Sequence, residues 1–500
     1  MSDYAVVLFE SLNPSEGTKE PPSKKRKKAQ QDVTHSQQKL QIIINKYLND
    51  KHYQNFTNNY IVDGLLDVTK QIHNDTTTAS STIKFNSEMT KLTSMITQKE
   101  KKRQIIMVTG LPYSGKSTFC RYLINSLLNS HPSVCYLDLD PSAPEFSISG
   151  QLSLIEITSP LIGPSCSSVI FNKDITMNSE FFGFSDPEHN VDLYMKCVLK
   201  LINIYKLKKI PLVVHCYNHS KGAGYYSLLE LIRVFTPHHL IKIKDRSNFD
   251  KLDSNFGNID YESICGIRFE HSTLDHALRF LQICPQDKMP RDPKHLEKKM
   301  KIYAMEHDEI SKYYDKKQSK YFYNALFFSY FVENPLPNSS EFLQNVLLDS
   351  SCRYKVPWNR FRILLDDGIP LQECMYRLNG TVVALGVDDE EYEIEESNLP
   401  CFVEKMPTNL KMLGFAIVSC IYMSDSCFEL ITPIQRDLLG TINTLLCTKV
   451  EVPNLFSKSG VGGNTPYISS AAIEMQRFGM GGAVEGQVSV LRDKQKALNK

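Results

Sequence analysis

The stretch Gly110-Leu111-Pro112-Tyr113-Ser114-Gly115-Lys116-Ser117 satisfies the pattern G-x-x-x-x-G-K-[ST] at every defined position. Its surroundings agree with it. Ile105-Ile106-Met107-Val108 is a continuous apolar run of the kind a buried parallel strand shows. After Ser117, the residues Phe119, Tyr122, Leu123 and Leu127 recur at helical spacing. A strand, a glycine-bearing turn and a helix in that order make a phosphate-binding loop. Its glycines let successive backbone N–H groups turn inward around phosphate oxygens, and the helix N-terminus adds positive potential. The residues expected around the nucleotide are Gly110, Leu111, Pro112, Tyr113, Ser114, Gly115, Lys116, Ser117 and Thr118. Lys116 would reach the β- and γ-phosphates, and the Ser117 hydroxyl would ligate Mg²⁺. No G-x-G-x-x-G run is present, which disfavours a dinucleotide. The expectation is a nucleoside triphosphate site.

Working outward, a second buried-type strand runs over 134–139, and further strands are expected over 210–214 and 240–243, with a helix over 225–235 between them. Alternating strand and helix signals predict an α/β fold: a parallel sheet with helices on both faces. The second strand ends in Asp138 and Asp140. In a parallel sheet its carboxyl end shares an edge with the phosphate loop. A carboxylate there can hold Mg²⁺ through water or accept a proton from an attacking hydroxyl. A plain strand-end turn is the competing reading, because Asp140-Pro141 is a common punctuator. Which of the two acids meets the nucleophile stays open.

The rest of the chain bounds the problem. Its 500 residues suffice for two or three domains with a sizeable core. Lys plus Arg (57) and Asp plus Glu (56) nearly cancel to a net charge of +1, so nucleic-acid contact must come from local patches. Thirteen cysteines, an odd number without a C-x-x-C pair, argue against a disulfide framework or a zinc module and for reduced thiols in an intracellular, soluble protein. The pairs His215/His219 and His271/His276 form no ligand set with Cys216 or Cys265, so no zinc is expected. No apolar stretch approaches spanning length, so no membrane is expected. Near the start, Pro21-Pro22 precede the basic run Lys24-Lys25-Arg26-Lys27-Lys28, read as a nuclear localisation signal against a solvated tail. Lysines 294, 298, 299, 301, 312, 316, 317 and 320, interleaved with Tyr303, Tyr313, Tyr314 and Tyr321, make either an RNA-backbone contact or a charged exposed helix.

One family accounts for more of the chain than these motifs do. Tyr136-Leu137-Asp138-Leu139-Asp140-Pro141 with Pro144-Glu145-Phe146, Pro160-Leu161-Ile162-Gly163-Pro164, Phe182-Gly183-Phe184-Ser185-Asp186-Pro187, Lys221-Gly222-Ala223-Gly224-Tyr225 and Leu378-Asn379-Gly380-Thr381 resemble the Grc/Nol-type polynucleotide 5′-hydroxyl kinases, a Clp-related family of ribosomal-RNA processing. The resemblance covers roughly 104–455. It implies ATP and Mg²⁺ as cofactors and RNA with a 5′-hydroxyl end as substrate. It also implies a Las-type HEPN endonuclease as partner, action on the second internal transcribed spacer, and an address in the nucleus, at the nucleolus. By the same resemblance Lys116, Asp140, Asp138, Arg291 and Lys294 carry catalysis, and Ser117, Asp138 and Asp140 hold the metal. Lys294 stands where the family's lid has an arginine, and a lysine lacks the bidentate fork. Cys216-Tyr217-Asn218-His219 replaces the family's Thr-x-Gly-Trp clasp, and Ser142-Ala143 replaces Gly-Gln. These departures leave room for an ATP-binding scaffold with weak or absent transfer.

The expected organisation is an N-terminal extension over 1–100, partly disordered; a P-loop kinase domain over 101–285; a lid and basic helical segment over 286–325; a smaller β-rich domain over 326–456; and a flexible Gly-rich tail over 457–500. Within the β-rich domain, strands are expected over 381–385, 416–422 and 428–432.

Overall fold

The computed structural model describes residues 87–98, 103–112, 114–161, 168–169, 177–217, 222–245, 259–265, 292–307, 323, 326–327, 329–331, 353–364, 374–389, 400–403, 406–407, 410–450 and 452. The basic run 24–28, Tyr113, His219, Arg291, the lysine and tyrosine residues of 312–321 and the glycine-rich 457–500 lie outside these residues. Chain contacts divide the protein into two units. One comprises 1–146, 152–178 and 186–323, the other 147–151, 179–185 and 324–500.

The first unit opens with α1 (Ser87–Thr97), then β1 (Ile105–Gly110), α2 (Lys116–Leu128), β2 (Val134–Leu139) and β3 (Gln151–Ile157), whose first residue counts to the second unit, as do the last three residues of β4 (Met177–Phe181). It continues through α3 (Val191–Lys206), β5 (Leu212–Cys216), α4 (Gly222–Phe235), β6 (His239–Asp245), α5 (Tyr261–Cys265), α6 (Pro293–Lys299) and β7 (Lys301–His307). The strands β3-β2-β5-β1-β6-β7 are successive neighbours in one sheet. β2, β5, β1, β6 and β7 are parallel to one another, and helices alternate with them along the chain, as the α/β reading expects. β3 is different. It pairs antiparallel with β2, Val134 opposite Ile157 and Asp138 opposite Ser153, so the sheet is mixed. That pairing follows from the connection: β2 and β3 are joined with no intervening helix, and only a crossover would return the chain parallel.

Burial explains which segments became which element. β5 is buried at all five positions, Leu212-Val213-Val214-His215-Cys216, as a strand in the middle of a covered sheet must be. It starts at Leu212 instead of Ile210 because Pro211 has no N–H to give a ladder; the Pro211 carbonyl still accepts from Cys135 N–H at 2.8 Å. α2 turns Phe119, Cys120, Leu123, Ile124 and Leu127 into a core shared with Val108, Tyr136 and Ile241. Each fully buried Phe or Leu there contributes roughly 1.5–3 kcal/mol of transfer free energy. α3 is capped by Asn190, whose side-chain oxygen accepts from Leu193 N–H at 3.0 Å. Among the described residues no helix is long and apolar enough to cross a membrane.

The second unit holds β8 (Arg353–Pro357), β9 (Arg362–Leu364), α7 (Cys374–Leu378), β10 (Val382–Val387), β11 (Cys401–Val403), β12 (Lys411–Tyr422), β13 (Cys427–Ile431), α8 (Arg436–Leu439) and β14 (Thr444–Cys447). Its strands form a sheet in the order β11-β9-β14-β10-β12-β13-β8, antiparallel except where β9 pairs with β11 and β14. The strands expected over 381–385, 416–422 and 428–432 are β10, β12 and β13, with β12 starting earlier, at Lys411. Trp358, Phe361, Phe428, Leu430 and Leu445 sit at the centre of its own apolar core.

Candidate functional site

The sheet order gathers the chemistry. The chain runs from β1 through α2 to β2, yet β5 lies between those two strands. Val108 of β1 and Asp138 of β2 both stand level with His215 of β5. The carboxyl ends of three neighbouring parallel strands therefore converge, which is where open α/β sheets bind ligands.

The phosphate loop leaves β1 at Gly110. A Cβ at Gly110 would lie 2.6 Å from the Ile243 carbonyl and 2.6 Å from Ser114 Oγ, so only glycine lets the loop pass. Gly115 has φ +88°, a left-handed conformation that turns the chain into α2. α2 starts with no side-chain cap, leaving its first N–H groups aimed outward for a ligand. Lys116 Nζ donates to the Gly110 and Leu111 carbonyls at 3.2 and 3.0 Å. Burial pushes its ammonium below the ordinary lysine value, and the Asp140 carboxylate pulls it back up. Thr109 Oγ1 and Ser114 Oγ are buried with no partner among the described residues. A buried hydroxyl without a partner is costly, and a phosphate would satisfy one.

Behind the loop lies a continuous polar network. Asp138 is almost fully buried; its Oδ1 accepts from His215 Nδ1 at 3.0 Å and from Asp140 N–H at 3.3 Å, and its Oδ2 from Glu145 N–H at 2.8 Å. His215 Nε2 stands 3.3 Å from Ser117 Oγ. Glu145 in turn accepts both prongs of the Arg121 guanidinium, Nε at 2.9 Å and Nη2 at 2.8 Å, and the Ser168 hydroxyl at 2.9 Å. The segment after β2 is thereby tied back to α2. Tyr194 of α3 donates to the Leu139 carbonyl at 2.8 Å, pinning the end of β2 from the opposite side.

The two acids separate in role here. Asp138 meets protein donors on both oxygens, whereas Asp140 Oδ1 accepts from Ser142 N–H at 3.0 Å and from its hydroxyl, and Oδ2 has no partner among the described residues. β2 ends at Leu139, and beyond it the Asp140 N–H turns back onto Asp138 Oδ1. Ser142 thus holds Asp140 Oδ1 through both its N–H and its hydroxyl. Cys216 is fully buried, and burial pushes its thiol up, opposed by Lys116, so it stands beside the lysine as a neutral thiol. Tyr217 is half-buried, its phenol pushed up by burial and by Asp186. Lys294 is exposed in the first turn of α6, where Asp292 Oδ1 accepts its N–H at 3.0 Å; among the described residues no hydrogen bond or ion pair joins it to the phosphate loop. His215 escaped the sequence reading, which weighed it only as a zinc ligand. Its one legible signal was a polar residue inside an apolar strand run.

These features fit a nucleoside triphosphate with Mg²⁺. The loop offers an uncapped helix start, a lysine, a hydroxyl on Ser117 and buried hydroxyls without partners. Among the described residues no group of three or more His, Cys, Asp or Glu could hold a metal by itself. Mg²⁺ asks for less: one or two protein oxygens plus phosphates and water.

Residues 110–267 match the model of the mRNA cleavage and polyadenylation factor CLP1 P-loop, a span that includes every residue of this network. Among curated proteins, human polynucleotide 5′-hydroxyl-kinase NOL9 is 27% identical over 382 residues, covering 73% of this chain and 52% of that protein. The Arabidopsis thaliana protein of the same name is 26% identical over 363 residues, covering 70% of this chain and 86% of that one. A solved Clp1p–Pcf11p complex aligns with TM-score 0.47 and 13% identity over 72% of this chain and 78% of that one. The chain spans about half the length of the human relative it matches. Its phosphate-loop region matches the CLP1 P-loop model, over some seven-tenths of its length the chain is similar to the NOL9 polynucleotide 5′-hydroxyl kinases, and over 27% of it to the Schizosaccharomyces pombe grc3 protein of the same activity name.

Proposed function

We propose that the chain is an ATP-dependent polynucleotide 5′-hydroxyl kinase acting on RNA, with Mg²⁺. The observation that carries this reading is an uncapped phosphate loop with Lys116 at its helix start, at the same sheet edge as Asp140, a carboxylate that keeps one oxygen free. Bound Mg–ATP supplies the phosphoryl group and much of its charge neutralisation. Lys116 leaves the loop carbonyls to meet phosphate oxygens, and Ser117 offers its hydroxyl oxygen to the metal. Asp140 Oδ2 accepts the proton of the RNA 5′-hydroxyl as that oxygen attacks. Arg291 and Lys294 would close over the transferring group as a lid, bringing positive charge to its oxygens. The resemblance implies Asp138 as a further metal ligand; in this structure its two oxygens already accept three hydrogen bonds.

The finer reading is pre-ribosomal RNA processing at the second internal transcribed spacer. It places the chain in the nucleolus beside a Las-type HEPN endonuclease whose cut leaves a 5′-hydroxyl. Family resemblance and the basic run 24–28 support it. The β-rich unit and the glycine-rich tail are the proposed docking elements, and the five-part division of the chain stands with them as a proposal. One observation favours a second reading, an ATP-binding scaffold with weak transfer. The neutral, buried Cys216 thiol stands where the family's clasp has a hydroxyl. Transfer of labelled γ-phosphate from ATP to a 5′-hydroxyl RNA oligonucleotide decides between them, with and without the co-purified nuclease. The kinase reading expects transfer that falls at least about a hundredfold in Lys116→Ala. Nucleotide binding with no transfer under either condition leaves the scaffold.

A further inference from the structure

We propose that His215 is a positioning residue for the Ser117 hydroxyl, and that Asp138 acts through His215 and not as a metal ligand. His215 and Asp138 are each 1% exposed, so both must find partners inside the protein. Asp138 already accepts two backbone N–H groups, Asp140 on Oδ1 and Glu145 on Oδ2. Toward His215 it is again an acceptor, so Nδ1 carries a hydrogen, and the tautomer with a bare Nε2 presents a lone pair on the far side of the ring. That lone pair faces Ser117 Oγ at 3.3 Å. The serine's single O–H is then directed to the ring, and both of its own lone pairs remain for a cation.

The ring has little freedom to do otherwise. It is stacked on Tyr136 with centroids 6.2 Å apart and planes 17° apart, and β2 holds Asp138 level with it. Three occupied positions on the Asp138 carboxylate leave it poorly suited to bind a metal as well. Asp140, with a free oxygen, remains the acid available to substrate. The Ser–His–Asp order follows from β5 lying between β1 and β2, and it exists only in the folded sheet.

The proposal rests on the Mg–nucleotide reading of the site but not on phosphate transfer. It is tested on the full chain by binding of a fluorescent N-methylanthraniloyl ATP, titrated with Mg²⁺ and again in EDTA. An asparagine amide can occupy the place of Nδ1 but not that of Nε2; a glutamine oxygen can occupy the place of Nε2. The gain in affinity on adding Mg²⁺ should shrink about tenfold in His215→Ala and His215→Asn, the worth of one ordered hydrogen bond. His215→Gln should retain most of it. In a Ser117→Ala background, His215→Ala should cost nothing further. Should His215→Ala fail to fold, the asparagine and glutamine variants decide alone. Equal Mg²⁺ gains in wild type and His215→Asn, equal losses in the asparagine and glutamine variants, or a wild type without any Mg²⁺ gain each overturn the proposal. Mg²⁺-dependent binding that needs His215 without phosphate transfer would sink the kinase reading alone.

Discussion

At the scale of single residues, the loop tolerates almost no change. Gly110→Ala would drive a methyl group into the Ile243 carbonyl and Ser114 Oγ, both at 2.6 Å, and backbone cannot swing aside as a side chain can. The expected result is loss of nucleotide binding with a stability cost of about 1–3 kcal/mol, read by calorimetric titration and thermal melting. Asp140→Asn removes the free carboxylate oxygen while its amide can still accept from Ser142. Transfer to RNA should fall about 10²–10⁴-fold with nucleotide affinity little changed, measured as separate kcat and Kd values. Cys216→Thr returns a hydroxyl beside Lys116, and transfer should rise by roughly fivefold, the worth of about one hydrogen bond. A fall in transfer there would mean that the thiol is needed for packing.

Between elements, the Arg121–Glu145 pair joins α2 to the segment that follows β2. Glu145 is 2% exposed, and Arg121 meets it with both prongs. Arg121→Ala leaves a buried carboxylate with only Ser168 as a side-chain donor among the described residues. Breaking one partner of such a pair costs about 3–5 kcal/mol, less here because Arg121 is partly exposed. Chemical denaturation should show the loss, and Glu145→Gln combined with Arg121→Ala should recover part of it. Because Glu145 N–H also donates to Asp138, the same variant should weaken Mg–nucleotide binding. No loss of binding would show that α2 and β2 hold the site without this tie.

For the whole molecule, two apolar cores imply two unfolding events. Leu123 and Val213 are buried in the first unit, and Phe428 and Leu430 in the second. Differential scanning calorimetry should resolve two transitions, with Mg–ATP raising the one that contains the phosphate loop. Phe428→Ala, a loss of about 3–5 kcal/mol in the second core, should lower the other. A single transition shifted by both would show that the units melt as one.

The phosphate loop could be read from the order of residues alone, because its chemistry is local. Gly110, Gly115, Lys116 and Ser117 lie within eight consecutive residues, and the strand before and helix after them are written in the apolar spacing of 105–108 and 119–127. The α/β class and the strands β2, β6, β10, β12 and β13 were legible for the same reason, since burial on a sheet leaves continuous apolar runs. β3 was not, because its antiparallel pairing with β2 depends on a loop without a helix, not on a pattern within the strand. Nor could spacing separate Asp138 from Asp140: two residues apart, they differ only through what surrounds them. His215 lies 98 positions from Ser117 and 77 from Asp138, and no local pattern relates the three. Only the tertiary structure made them neighbours, by setting β5 between the strand that leads into the loop and the strand that ends in the acids.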